Sequence, residues 1–364
     1  LPVLRKVFGL SDIEAGYLIT LYTLPAIFLA PPVGMMADRL GRKHILVPSL
    51  FLFGGAGFSI CFVNSYTAIM LLRFVQGVGS TSLALISRTL VGDLFKGPEQ
   101  NAVMGLNDAT LALGAAAYPF LGGYLAQIHW YYPFLLYAFP CLVSPASLLF
   151  LRTVPLKPAT DTIHYIQDGL KVLMTKRVLL LFAATFASFV LLYGSIQTIL
   201  PLYLSESFGF QSDSIGTFIS TMAVTIAVVS FFNGRLATLF SSRTLIIVGF
   251  GCYGIGLILL GLGTGVIVFV LGLGIFGIGH GLTLPSMNTA LVTSVEAKSR
   301  GALMSLRTIF SRSGQTAGPF LFPLLGLSLT HSFLLSVSGV LTLLLTSIAA
   351  VLWTDIFSQP EEPN

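Results

Sequence analysis

Charge is scarce in this sequence. Asp, Glu, Lys and Arg make up 9% of its 364 residues, against roughly 25% in soluble domains. So few charges cannot clothe a water-facing surface, and a soluble globular fold is excluded. Cysteine is scarce as well. Cys61, Cys141 and Cys252 lie far apart inside apolar runs, which excludes a disulfide framework and offers no metal-ligand spacing. The five histidines are dispersed, with no HExxH cluster and no Ser–His pair. No glycine loop ending in Lys-Ser/Thr is present to bind phosphate. A membrane-embedded enzyme and an ATP-driven pump therefore both lack their parts, and no catalytic residue, cofactor or metal is expected. The net charge of +5 sits mainly in loops; it reads as a topology signal and not as a nucleic-acid footprint.

What the chain has instead is apolar length. Hydrophobic residues make up 55% of it, mean hydropathy is +0.89, and glycine (37) and proline (18) are plentiful, as in membrane helices that pack closely and bend. About 20 apolar residues cross a bilayer as a helix. Such runs fall near 13–37, 44–65, 66–92, 101–127, 130–151, 178–204, 212–238, 244–264, 265–292, 301–327 and 330–354. The prediction is an all-α integral membrane protein with eleven visible spans. Strands are excluded because the runs do not alternate apolar with polar residues.

Most Lys and Arg gather in alternate loops, among them "DRLGRK" (Asp38 to Lys43), Lys96, the 152–177 segment, Arg235, Arg243, Lys298 and Arg300. The opposite loops hold only Arg5 and Lys6. Cytoplasmic loops collect Lys and Arg, so the DRLGRK loop and the acidic tail, 357–364, are expected in the cytoplasm of a cell that carries the protein in its plasma or inner membrane. The segment 152–177 sets Ile163, Ile166, Leu170, Leu173 and Met174 on one helical face. It reads as a connector with an amphipathic surface helix, between an N-terminal bundle (1–151) and a C-terminal bundle (178–356).

The two bundles repeat each other at an offset of 200 positions. Gly34 meets Gly234, Gly77 and Gly79 meet Gly277 and Gly279, and Gly114 and Pro119 meet Gly314 and Pro319. The second half offers six spans and the first only five, so a first helix is expected to precede Leu1.

The densest charge cluster, Gly34-x-x-x-Asp38-Arg39-x-Gly41-Arg42-Lys43, resembles the loop signature between helices 2 and 3 of the major facilitator superfamily. "RFVQGVG" (Arg73 to Gly79) is similar to that family's fourth-helix signature. "GAAAYPFLGG" (Gly114 to Gly123) is similar to the fifth-helix signature of its drug–proton antiporters, with Tyr118 where that pattern has glycine. "GQTAGP" (Gly314, Gly318, Pro319) repeats the motif in the partner helix. The resemblance implies two pseudo-symmetric six-helix bundles that rock about a midplane site. It further implies a cytoplasmic latch, in which Asp38 meets the helix N-terminus near Arg300 and Gly301 while Arg42 pairs with Asp93.

Ionisable groups at membrane depth are functional candidates by default. Arg73 matches the family position linked to proton handling. Its alternative is a structural role within the bundle. Asp108 is either the proton carrier or a static partner of Arg88. Arg307 and Arg312 attract an anionic part of a substrate or pair with acids. His280 either closes an interhelical hydrogen bond or touches substrate or proton. Gln197, Asn233, Asn288 and Gln315 are polar groups for a cavity wall or for interhelical bonding. The expected activity is alternating-access, proton-coupled efflux of small amphipathic or hydrophobic molecules by a monomer in the lipid bilayer. The alternatives are an uptake or organic-anion carrier and, less favoured, a membrane-embedded enzyme or a non-transporting sensor.

Overall fold

In the computed structural model of this chain, residues 1–151, 175–294 and 300–357 are described. The side chains of Asp38, Ala84, Arg88, Pro98, Asn101, Arg300, Gly301, Ala302 and 352–357 are not among those described, and the expected connector helix over 152–177 lies almost wholly outside. The described chain is helical. The N-terminal half holds α1 (Pro2–Phe8), α2 (Asp12–Thr23), α3 (Pro25–Leu40), α4 (Arg42–Ser59), α5 (Tyr66–Leu94), α6 (Gly97–Ile128), α7 (Tyr132–Leu135) and α8 (Ala138–Phe150). The C-terminal half holds α9 (Lys176–Val190), a π-helical stretch (Leu191–Ile199), α10 (Leu200–Phe208), α11 (Ser212–Leu239), α12 (Ser242–Leu262), α13 (Val266–Thr293), α14 (Arg300–Gly326) and α15 (His331–Phe357).

Ten helical stretches among the described residues are long and apolar enough to cross a membrane. α14, at 27 residues, is the eleventh long helix, made more polar by Arg300, Arg307 and Arg312. Large exposed side chains such as Leu149, Phe150 and Phe231 belong on such a surface, where lipid is the solvent.

Local sequence explains the breaks. Gly41, at φ +92°, ends α3 and turns the chain into α4, a conformation a side chain would strain. Ser11 caps α2 with Glu14 in a reciprocal capping box. The expected helix over 130–151 is split at Leu136–Tyr137, which leaves Pro140 in the first turn of α8, where a missing N–H costs least. The span expected at 178–204 runs from Lys176 to Phe208 with π geometry in its middle. Pro201 has no N–H to close an α-turn onto Gln197, and the Thr198 hydroxyl bonds the Tyr193 carbonyl five residues back at 2.7 Å.

The repeat holds in three dimensions. Gly77 lies against the Tyr22 carbonyl and Gly277 against the Met222 carbonyl; Gly79 lies against Ser49 and Phe53, and Gly279 against Gly249 and Tyr253. All these pairs differ by 200. In both halves the glycine lets two helix backbones touch. The halves are not equally filled. The C-terminal half buries two apolar clusters, one built on Tyr253, Phe269 and Phe276 and one in which Phe182 stacks on Phe310 at 4.8 Å. The N-terminal half buries a smaller one around Ile60, Ile69 and Phe134.

Candidate functional site

The end of the bundles that carries the Asp38–Lys43 loop is called the basic end, and the opposite end the far end. At the basic end Arg42 forms an ion pair with Asp93, both largely buried. Lys43 donates to the Leu151 carbonyl at 2.9 Å, just past the end of α8. Arg243, 200 positions on, donates to the Ala350 carbonyl of α15, also at 2.9 Å. Each bundle thus uses a base after its equivalent loop to satisfy a carbonyl near the end of its last helix. These contacts stay inside one bundle. Gly34 faces Leu85, whereas Gly234 has nothing within 4 Å of where a Cβ would stand. Arg39 is exposed. The contact expected of Asp38 with Arg300 and Gly301 lies outside the described side chains.

The far end joins the bundles. Gly16 of α2 sits against the Pro319 carbonyl of α14, and Gly216 of α11 sits against the Pro119 carbonyl of α6. The two crossings are related by the same 200-residue offset. Gly123 extends the second onto the Ser212 carbonyl. A Cβ at Gly16 or Gly216 would overlap the facing carbonyl oxygen. Tyr17 stacks on Phe320 across the first crossing at 6.1 Å. Around it lies a cluster of charge drawn from four elements: Arg5 pairs with Asp12 at 3.0 Å and with Glu206, and His331 meets Asp12 at 2.8 Å and Glu206 at 3.5 Å. Sequence reasoning did not find this cluster. Its members stand 7, 194 and 125 positions apart along the chain, with no spacing to betray them. The Gly16–Gly216 match at offset 200 was there to be read.

Between the ends, α2 and α14 share a polar seam. The Thr316 hydroxyl donates to Thr23 Oγ1 at 2.9 Å, and the Thr20 hydroxyl to the Thr316 carbonyl at 3.3 Å. One turn toward the basic end, Arg312 Nη1 donates to Gln315 Oε1 at 2.9 Å, and its charge acts on the hydroxyls of Tyr22 from α2 and Tyr193 from the π-helical stretch. Tyr22 also meets Ser80 of α5. Side chains of both bundles therefore converge here. Among the described residues, α5 does not pack on α14, nor α6 on α13. Along α6, Leu106 and Leu113 are 67% and 71% exposed. Among the described residues the bundles meet at the two far-end crossings, along the polar seam and where α3 packs on α14.

The other candidates scatter. Arg73 repeats the Arg-x-x-Gln device inside the N-terminal bundle, with Nη1 donating to Gln76 Oε1 at 3.0 Å and the guanidinium 4.9 Å above the Phe134 ring. Its Nε is buried without a hydrogen-bond partner. His280, for which the sequence left an interhelical hydrogen bond or a substrate role open, is 3% exposed, bonds the Tyr253 hydroxyl at 2.7 Å and meets Phe189 edge-on. It fills a seam between helices. Asn233 likewise ties α11 to α13 through the Leu282 carbonyl at 3.1 Å. Asn288 and Gln197 are half-buried, the first with an unpartnered buried Oδ1. Arg307 is half-buried on α14, and Asp108 is exposed on α6; its pairing with Arg88 lies outside the described side chains. Gly114 meets only Tyr118 of its own helix, whereas Gly314 and Gly318 bring α14 against Phe186 and Gly194. Among the described residues no group of three or more His, Cys, Asp or Glu is placed to hold a metal.

Two helical bundles related by an internal repeat, crossed at one end over a shared polar seam, define a secondary-transporter architecture. The sequence profile of the Major Facilitator Superfamily matches residues 1–211 and 182–364, and the chain belongs to that family. Its relatives are transporters and not enzymes. It is 25% identical over 333 residues to the tetracycline resistance protein, class B, of Escherichia coli, covering 88% of this chain and 82% of that protein. It is 36% identical over 141 residues to the bacillibactin exporter of Bacillus subtilis, covering 37% of this chain and 35% of the exporter; that match spans about a third of the exporter's length. The fold superposes on a bacterial homologue of the human lysosomal transporter Spinster, solved in an inward-facing, unoccupied conformation, with a TM-score of 0.80 at 16% identity over 97% of this chain and 91% of that one.

Proposed function

We propose that this chain is an alternating-access exporter that moves small amphipathic molecules out of the cell in exchange for protons. The observation that carries the reading is the pair of Gly–Pro crossings, Gly16 on Pro319 and Gly216 on Pro119. They seal one end of a site to which both bundles contribute. With the basic loops in the cytoplasm, the sealed end is the outer one and the polar seam opens inward, as loading from the cytoplasm or inner leaflet requires. The resemblance to efflux members supports the direction of transport. Arg73 and Asp108 are the proposed proton-coupling groups, as ionisable residues at or near membrane depth. The Asp38 latch would close the inner end in the opposite state, its carboxylate held by a helix N-terminus at about 0.3–1 kcal/mol, which is weak enough to be released each cycle.

The test is flux in inside-out vesicles. An imposed gradient, acidic inside, should drive uptake of an amphipathic fluorescent probe, and collapsing it should stop uptake. Uptake indifferent to the gradient would contradict proton coupling, and accumulation only in right-side-out vesicles would contradict export. In the same assay Asp38→Asn should slow turnover markedly, and an unchanged rate would remove the latch.

A further inference from the structure

We propose that Arg312 is the anchor for a negatively charged group on the transported molecule, so that the cargo is an amphipathic anion. This deepens the exporter reading and rests on it. The starting observation is one of depth. Arg312 stands twelve residues into α14, about 18 Å along it at 1.5 Å per residue, near the middle of the membrane. An ionised side chain there is costly unless it is paired or hydrated.

Among the described residues no carboxylate pairs with it. Asp12, Glu14, Glu206 and Asp213 stand at the far end of their helices, and Asp93 and Glu99 toward the basic end. Asp108, nearer in depth, is on α6 in the other bundle and makes no ion pair with Arg312. Its hydrogen-bond partner is a neutral amide: Gln315 Oε1 accepts from Nη1. Gln315 itself is 8% exposed, so it steadies one arm of the fork and leaves Nη2 and Nε for a ligand. A guanidinium held by one arm suits a carboxylate or sulfonate, two of whose oxygens take parallel hydrogen bonds from the free edge.

The surroundings complete the site. Tyr22 and Tyr193, on opposite bundles, both feel its charge, and a tyrosine ring offers an apolar face beside a polar tip. Arg73 carries the same Arg-x-x-Gln pair but lies on the Phe134 ring with its Nε buried. Of the two devices, the one at the seam between bundles is the one a cargo can reach. A cycle that closes the basic end would expel water from around Arg312. An anion in the site supplies the missing counter-charge at that moment, and a cation makes closure worse. Charge selection and closure are then one event.

The test uses two dyes with the same xanthene core: fluorescein, an anion, and rhodamine 123, a cation. Binding is measured by anisotropy on the purified full-length protein in nanodiscs, and flux in inside-out vesicles. The wild type should bind fluorescein at least about tenfold more tightly than rhodamine 123. Arg312→Gln should weaken fluorescein binding by roughly 10- to 100-fold, the worth of charge-assisted hydrogen bonds, and leave rhodamine 123 unchanged or improved. Arg312→Lys, which keeps the charge and loses the fork, should fall between; it also guards against a folding defect in the glutamine variant. Fluorescein binding no stronger than to empty nanodiscs, a preference for rhodamine 123, or indifference to both substitutions would overturn the anion site. Gradient-driven flux of rhodamine 123 alone would overturn it while leaving the exporter standing. Arg312-dependent fluorescein binding without gradient-driven flux of either dye would keep the anion site and remove the proton-coupled exporter.

Discussion

The two ends of this molecule are built by different means. At the far end, backbone meets backbone: α2 and α14 cross at Gly16 and Pro319, α6 and α11 at Gly216 and Pro119, and a mixed-charge cluster surrounds the first crossing. At the basic end, the described ionic contacts tie each bundle to itself: Arg42 to Asp93, Lys43 to Leu151, Arg243 to Ala350. The joint at the far end thus rests on close contact between helix backbones together with partly exposed ion pairs that cross between the bundles, whereas the polar ties at the basic end keep each bundle rigid. Rigid halves are what a rocking mechanism requires, since a soft bundle would absorb the motion that should expose the site.

The largest effect that separates the two ends should come from the crossings. Gly16→Ala and Gly216→Ala each place a methyl group on a carbonyl oxygen, and overpacking of about 1–3 kcal/mol should cut transport by roughly tenfold or more. Because the two sites are related by the repeat, their effects should match. Gly234→Ala, with open space around it, is the control and should transport normally; rates for the three variants in one vesicle assay decide it. Next in size is Asp93→Asn. It removes the carboxylate charge facing a largely buried Arg42 and should cost about 3 kcal/mol of stability, read as a lower melting temperature, while the balance between open and closed far ends stays put. A change in that balance with stability intact would make Arg42–Asp93 part of the moving joint.

The far-end cluster is partly exposed, so Glu206→Gln should shift the bundles toward far-end opening only a few-fold, consistent with about 0–1 kcal/mol for a surface pair. Cysteine labelling at the far end, with and without the substitution, measures it. Smallest of all, Lys43→Ala and Arg243→Ala should each remove one hydrogen bond to a helix-end carbonyl, lowering stability by about 1 kcal/mol and by similar amounts in the two bundles.

The same contrast explains what could be read from residues alone. The helices were legible because lipid leaves no choice: about 20 apolar residues in a row must be helical. The repeat was legible through glycines, which mark places where backbones touch, and Gly77 with Gly277 and Gly79 with Gly279 do so on equivalent neighbours. Arg42 with Asp93 was legible through resemblance to a known loop. The π-helical stretch over Leu191–Ile199 was not, because periodicity does not report a widened turn. For His280 an interhelical hydrogen bond was among the readings, but its partner Tyr253, on another helix, was not legible. The far-end charge cluster joins Arg5, Asp12, Glu206 and His331 only after the bundles have come together, so no local pattern carries it. Arg312 was visible as an intramembrane charge, but its neutral partner and its two tyrosines required the fold.

The central claim is that the bundles move as two bodies hinged over a shared site, one end closing as the other opens. Spin labels on Asn64 and Thr264, exposed at the far end of each half and 200 positions apart, report one side; labels on Lys96 and Ser241, exposed at the basic end, report the other. Pulsed electron–electron distances taken in nanodiscs, with and without bound substrate across a range of pH, should show the two separations changing in opposite directions. Distances that stay fixed, or that lengthen and shorten together, would contradict the account.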